Sequence, residues 1–440
     1  MKFYNREQEL AFLNKQFLQT DLFSTMTVIT GRRRVGKTVL SLKYVENKRF
    51  LYLFIAKKNE VLLCRELVEI IKRDFDIPII GEIRDFKTLF NLVMEIGKRE
   101  KIVVIVDEFQ EFYNINPSVY SDIQNIWDRN KETVKIHLIF IGSIYSLMTK
   151  IFRNSKEPLF NHADKIMNIK PFPPRVIKKI LVENNRYSVD NLFVNYLVTG
   201  GVPRYEEILV KNQVFTRDEI IDFCFCEDSP FIEEGKIILT EEFGKEYRTY
   251  FSILELLSEG RTSRSEIESI LEKSIGGYLE RLESDYNLIS KVKPVGSKIT
   301  GRVQKYYIND NFLSFWFRFI YKYRSLIEAG NYEYLKEVFR KQIQNYSGPV
   351  LEKLYREILR DRGEFNIIGN YWERGNLNEI DIVAISDSKK KLLIGEVKIN
   401  KAKINLRNLK EKAKRLVSKY QGYTVEYIGL GMEDLDSHIE

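Results

Sequence analysis

Apolar residues fall in short unbroken runs over the first third of the chain and in helical or alternating patterns after it. The runs near 26–30, 49–55, 102–106 and 136–142 predict strands, and the stretches between them predict helices. This alternation predicts an α/β fold with a parallel sheet joined by crossovers. Val28-Ile29-Thr30 ends the first run, and Val39-Leu40-Ser41-Leu42 opens an apolar helix soon afterwards.

Further on, YFSILELLSEG, TSRSEIESIL and SIGGYLERLESDYNLI read as three helices, and SKVKPVGSKITGRVQKYYI as a basic hairpin. That order is a winged helix over about 245–309. The stretch 309–330 carries more aromatics at helical spacing than one face exposes, so it predicts core packing over a base-stacking platform. GPVLEKLYREIL, 348–359, predicts a helix starting at Gly-Pro, with Val350, Leu351, Leu354, Tyr355 and Ile358 on one face. NEIDIVAISD and KLLIGEVKIN then alternate as two strands. In the helix after them Leu406, Leu409, Ala413 and Leu416 are spaced for burial.

At 440 residues the chain predicts several domains, and 44% hydrophobic residues is a globular share. No stretch approaches the roughly 18 unbroken apolar residues of a membrane span, and MKFYNREQEL has no apolar run behind it, so neither a membrane partner nor a signal peptide is expected. Cys64, Cys224 and Cys226 have neither disulfide-framework nor zinc spacing. A cytoplasmic protein is expected. Net charge is +8, and the segment Lys398–Lys419, with nine Lys/Arg against Glu411 alone, carries a surplus of that size. A polyanion such as DNA is one partner for it, and a solvated helix face is the other reading.

Between the first strand and its helix, GRRRVGKT, 31–38, fits GxxxxGK[ST] at every fixed position. Gly31 and Gly36 let the backbone turn its N–H groups toward phosphate oxygens, and the helix adds its positive end. Lys37 is placed for the β- and γ-phosphates of ATP, and Thr38 for Mg²⁺. The segment counted as nucleotide-binding includes Arg32, Arg33, Arg34, Val35 and Val39. The arginine side chains are not needed for the cradle, and solvation, a partner domain and extra phosphate charge stay open for them. KIVVIVDEFQEF, 101–112, ends a strand in acids. Asp107 is expected to hold Mg²⁺ through water and Glu108 to polarise the attacking water. Ser143, ending the next strand, is placed to contact the γ-phosphate, with a strand-capping serine as the plain alternative.

In the C-terminal segment Glu396 and Lys398 lie two apart on one strand and so face together, and Asp381 on its neighbour can join them. Two carboxylates can bind Mg²⁺ while the lysine orients or activates a water for attack on a phosphodiester. The spacing alone is weak, since Glu234/Lys236 and Asp387/Lys389 show it without such a setting.

NREQEL at 5–10, GRRRVGKT, VDEFQ at 106–110, the Ser143 strand and TGGVPRYE at 199–206 together resemble the archaeal-type ATPase family, in the STAND branch of AAA+-like P-loop ATPases. The resemblance covers roughly 1–240. It implies that the helix around Arg6–Leu10 lies near the base and that Gly201 and Pro203 belong to a helical lid. Relatives carry Gly-Arg after a Pro-Leu-Tyr/Phe segment, whereas this chain reads PLFNHAD. Arg153 and Arg175 both stay open as the γ-phosphate sensor. Residues 310–435 resemble DUF234 and, through it, the PD-(D/E)xK nuclease-like fold, in which Glu352 is a possible extra acid. The expected domains are an ATPase core (1–168), a helical lid (169–244), a winged helix (245–309) and a nuclease-like domain with leading helices (310–440). The expected function is a slow, DNA-acting ATPase, with a nucleotide-gated scaffold as the alternative. A homo-oligomer stays possible. In the winged helix, Glu280, Glu283 and Asp285 against Arg281 make the third helix a poor polyanion surface. The hairpin, with Lys291, Lys293, Lys298, Arg302 and Lys305, is the better one, and docking within the chain or on a protein is the other reading.

Overall fold

The apolar runs become strands β1 (Thr25–Thr30), β2 (Phe50–Phe54), β3 (Ile102–Asp107) and β4 (Ile136–Ile141), joined by β5 (Lys165–Asn168). In the computed structural model, which describes residues 2–77, 79, 81–243, 247–297 and 303–439, these form a parallel sheet of order β2-β3-β4-β1-β5. The α/β expectation holds. Every residue of β1, β3 and β4 is buried, which is why their sequences are unbroken runs. Alternate residues serve opposite faces. Ile29, Ile105 and Ile139 pack with Leu13, Leu40 and Tyr44 of the helices Glu7–Gln19 and Lys37–Val45. Val28, Val104 and Leu138 pack with the helices Glu60–Phe75, Phe86–Arg99 and Ser118–Asn130. In this order the carboxyl ends of β1, β4 and β3 stand side by side, which places their exit loops in one row.

The chain divides into two compact units, one built from residues 3–170 and the other from most of 171–439. The second begins with helices, including Pro174–Glu183, Val189–Thr199, Pro203–Lys211 and Phe231–Phe243. Helices Tyr247–Ser258, Arg264–Leu271 and Gly276–Ser284 precede the antiparallel pair β6 (Ile289–Val292) and β7 (Lys305–Ile308). The aromatic stretch is core: Phe312, Phe315, Trp316, Phe317 and Phe319 are buried. Trp316 lies over Gly235, where a Cβ would come within 2.2 Å of the indole.

One expectation is corrected. Gly348-Pro349 does not start a helix but sits inside a single 31-residue helix, Tyr332–Arg362. Proline costs most in a helix interior, yet Tyr346, Ser347, Val350 and Leu351 on both sides of it are buried, so packing overrides the local preference. The last sheet has order β11-β10-β9-β8, from β8 (Ile367–Tyr371), β9 (Ile380–Ser386), β10 (Lys391–Val397) and β11 (Thr424–Leu430). The hairpin β9–β10 is antiparallel, β11 runs parallel to β10, and the basic helix Leu406–Val417 crosses between them. Among the described residues no helix is long and apolar enough to cross a membrane.

Candidate functional site

The glycine-framed loop leaves the end of β1 in backbone conformations its sequence dictates. Gly31 has φ +144°, and a Cβ there would stand 2.6 Å from the Ile169 carbonyl oxygen. Arg34 and Gly36 have φ of 71° and 85°, and the helix starts at Lys37. The Lys37 ammonium donates to the carbonyls of Gly31 at 2.9 Å and Arg32 at 3.0 Å, so the loop's own oxygens solvate it. Val35 is buried and Val39 exposed. Buried Arg6, just before the first helix, donates to the Val35 carbonyl at 3.3 Å and the Lys170 carbonyl at 2.5 Å, which ties the chain start to the loop.

Asp107, at the end of β3, gathers three donors. Thr38 Oγ1 donates to Oδ2 at 2.8 Å, the Tyr52 hydroxyl to the same oxygen at 2.7 Å, and the Glu108 N–H to Oδ1 at 2.8 Å. Burial, then the charges of Asp107 and Glu108, push the Tyr52 phenol up, so it stays a donor. Glu108 is in the left-handed region with φ 56°. Its Oε2 accepts from Ser143 Oγ at 2.7 Å and from Gln110 Nε2. Ser143 is therefore beside the acids and donates to Glu108. Tyr52 and Gln110 were not foreseen; their only signal is proximity to the acids in the fold.

Of the two arginines left open, Arg175 pairs with Asp361 at 3.2 Å within the second unit, while Arg153 ends the helix Tyr145–Arg153 and is exposed. In the turn that replaces Gly-Arg, His162 contacts Asp128 at 3.2 Å. Pro203 opens its helix one residue after Gly200-Gly201, both at positive φ, with Val202 as the N-cap. A Cβ on Gly201 would stand 2.2 Å from the Phe172 carbonyl oxygen.

In the second unit the β9–β10 register runs from Lys391 opposite Ser386 to Gly395 opposite Ile382, and Glu396 and Asp381 are the next residues of the two strands beyond the last pair. Asp381 Oδ2 accepts from the Val397 N–H at 2.8 Å. Lys398 Nζ stands 3.5 Å from both Asp381 Oδ2 and Glu396 Oε1, so the three sequence-predicted residues meet. Lys412 from the basic helix reaches Glu396 Oε1 at 3.9 Å, a member the charge run did not single out. Glu352, on the long helix, pairs with Arg356 at 3.5 Å, and Arg356 donates to the Asp381 carbonyl at 2.7 Å. Burial raises the Asp381 and Glu352 carboxyls above their usual range, and for Glu352 the Asp381 charge adds to it. Burial opposes the Lys398 charge, but Asp381 and Glu396 outweigh it and hold the ammonium above the ordinary lysine range. Glu396 Oε2 is buried without a hydrogen-bond partner. Among the described residues no three His, Cys, Asp or Glu side chains cluster to hold a metal ion.

The basic hairpin is built into this module. Val295 belongs to the core under the basic helix, with Ile380, Ile394 and Leu416, and its N–H donates to the Asn370 carbonyl at 3.0 Å. Lys305 pairs with Glu379 at 2.8 Å and lies 4.8 Å from the Trp372 ring centre. Lys291 faces Glu283 at 3.6 Å. Lys298 and Arg302 lie outside the described residues.

Residues 3–207 match the model of an ATPase domain found predominantly in Archaea, and residues 316–416 match DUF234, archaeal and bacterial proteins of unknown function. The chain is 30% identical over 408 residues to the uncharacterized protein MJECL04 of Methanocaldococcus jannaschii, covering 90% of this chain and 87% of that one. A stretch of 47 residues, 11% of this chain, is 43% identical to the uncharacterized ATP-binding protein MJ0423 of the same organism, over 76% of its length. The solved Walker-type ATPase paby2304 of Pyrococcus abyssi shares the fold at TM-score 0.56 and 17% identity, over 72% of this chain and 96% of that one.

Proposed function

Since the chain belongs to the archaeal ATPase family and carries that family's DUF234 domain, we propose that it hydrolyses Mg-ATP slowly at the Gly31–Thr38 loop and acts on DNA through its C-terminal acid–lysine site. In this reading residues 1–168 are the ATPase core, 169–244 with Pro203 its lid, 245–309 a winged helix, and 310–440 a nuclease-like module.

The loop fits a polyphosphate. Lys37 donates to two loop carbonyls, of Gly31 and Arg32, and the Gly31 position has no room for a side chain. Thr38 and Asp107 are the residues that would hold Mg²⁺, which when bound offsets charge on the phosphates. Glu108 polarises the attacking water, and Ser143 and Gln110 fix its carboxylate. With Arg175 paired to Asp361, the missing Gly-Arg is consistent with slow turnover. A neighbouring copy in a homo-oligomer is one source of such an arginine.

The single observation that carries the DNA reading is Glu396, buried, facing Asp381, with one carboxylate oxygen unpartnered. Divalent cations bound by Asp381 and Glu396 would activate a water and offset charge on the phosphodiester. Lys398 orients that water, and the basic helix Leu406–Val417 supplies the phosphate contacts. The hairpin lysines add less, since Lys291 and Lys305 are already paired.

Incubating intact protein with plasmid DNA and Mg²⁺ or Mn²⁺, with and without ATP, tests this. Cleavage is expected, and Asp381→Ala or Glu396→Ala should remove it while leaving ATP hydrolysis intact. A second reading, a nucleotide-gated scaffold, is favoured by one observation: Lys398 and Lys412 already offset the acids. Metal-independent DNA or protein binding without cutting would support it.

A further inference from the structure

Lys412 sits apart from the other lysines of its helix. Leu409, Ala413 and Leu416 mark the helix's buried face, and Lys412 lies beside them with a side chain 27% exposed, against 71% for Lys414. It points to Glu396, which is 8% exposed. Around that carboxylate, Asp381, Glu396 and Glu352 face Lys398, Lys412 and Arg356, so the formal charges cancel. Yet Glu396 Oε2 is left without a hydrogen-bond partner. A buried carboxylate oxygen without a donor is costly, so it marks a place for a cation or a donor.

A divalent cation at that oxygen would overcharge the cluster, and one of its cations must withdraw. Lys398 is 3.5 Å from both Asp381 and Glu396, whereas Lys412 contacts Glu396 alone, at 3.9 Å. Arg356 is anchored by its bond to the Asp381 carbonyl. Lys412 is the weakest held. Its stem is flexible, and it springs from the helix that also presents exposed Lys410 and Lys414.

We infer that Lys412 and a divalent cation compete for Glu396, and that entry of the cation releases Lys412 to contact a phosphate of nucleic acid lying along the basic helix. This rests on the nuclease-like reading of the acid–lysine site. Lys412 thereby couples the two ligands: each makes room for, or is held by, what the other releases.

The test uses nucleotide-free, full-length protein carrying Asp107→Asn, so that ions at the ATP loop do not count. Mn²⁺ alone is titrated and the free ion followed by electron paramagnetic resonance. One bound Mn²⁺ is expected, lost in Glu396→Gln. Lys412→Ala should bind Mn²⁺ about fivefold tighter, the scale of a partly exposed ion pair, yet bind labelled duplex DNA severalfold more weakly in Ca²⁺. Lys412→Arg should stay near the parent in both. A purely structural lysine would move both affinities the same way or neither, and that result overturns the exchange. A parent that binds no Mn²⁺, or binds it equally well with Glu396→Gln, overturns the acid-site reading itself.

Discussion

The Tyr52 hydroxyl and the Thr38 hydroxyl donate to the same oxygen of Asp107, at 2.7 and 2.8 Å. If Thr38 and Asp107 hold Mg²⁺ as proposed, Thr38 changes partner when the ion enters, whereas Tyr52, on β2, can keep its bond to Asp107 throughout. Tyr52→Phe removes that one bond, worth about 1 kcal/mol. Nucleotide affinity in Mg²⁺ should fall about fivefold while affinity in EDTA stays the same, as read by fluorescent-nucleotide titration. An equal loss in both would mean that Tyr52 acts on the loop and not on the acid.

Lys37, Glu108 and Ser143 should separate by variant. Lys37→Ala should abolish tight Mg-ATP binding, because its ammonium is the charge aimed at the β/γ-phosphates. Glu108→Gln should keep binding and slow hydrolysis, since Asp107 survives. Ser143→Ala removes one of the two donors on Glu108 Oε2 and should slow turnover more than it weakens affinity. Equal ATP affinity in wild type and Lys37→Ala would remove the assignment.

Turnover should depend on assembly. No Gly-Arg stands near 161–162, and an arginine supplied by a second copy raises hydrolysis by roughly 10³-fold or more. ATPase activity per molecule should climb with protein concentration or with added DNA. Fast turnover at high dilution, unchanged by DNA, contradicts this.

Glu206 should make stability pH-dependent. It is fully buried, Thr199 donates to Oε1 at 2.5 Å, and Oε2 has no hydrogen-bond partner. Burial pushes its carboxyl up to about 7, against the opposing bonds from Thr199 and Asn195. The folded state thus prefers the proton more than the unfolded chain does. Its contribution is complete below the unfolded carboxylate range and is lost as pH rises through about 7. Glu206→Gln should flatten that window and raise stability at pH 8 by about 3 kcal/mol, seen as a higher melting temperature there and little change at pH 5.

DNA affinity should distinguish the basic helix from the hairpin. Charge reversal at exposed Lys410 and Lys414 should weaken binding and flatten its salt dependence, as fewer counterions are released. Lys305→Ala should leave the salt slope unchanged, because its ammonium is occupied by Glu379 and Trp372. Val295→Ala should instead cost about 1–2 kcal/mol of stability through lost core packing. A steeper effect of Lys305 than of Lys410 on binding would reverse this division.

Much of the molecule was legible before folding, because the information was local. Unbroken runs such as IVVIVD are what two-sided burial in a parallel sheet demands. GRRRVGKT had to be a turn whose glycines enter conformations other residues avoid, and Gly31 at φ +144° is there. The two-residue spacing of Glu396 and Lys398 put them together in the sequence, and in the fold Lys398, one residue past β10, stands 3.5 Å from both Glu396 and Asp381. What the sequence left open depends on partners distant along the chain. Gly-Pro at 348–349 reads as a helix start until buried neighbours on both sides override it. Lys305 and Lys412 look alike in a charge count, yet folding commits one to Glu379 and the other to Glu396. Tyr52 carries no motif at all, and Gln110 stands in VDEFQ without its role being readable there. A side chain's chemistry is written in its type, but which charge or hydroxyl it meets is decided by tertiary packing: Tyr52 and Asp107 are 55 residues apart in sequence, and only the folded backbone brings them within a hydrogen bond.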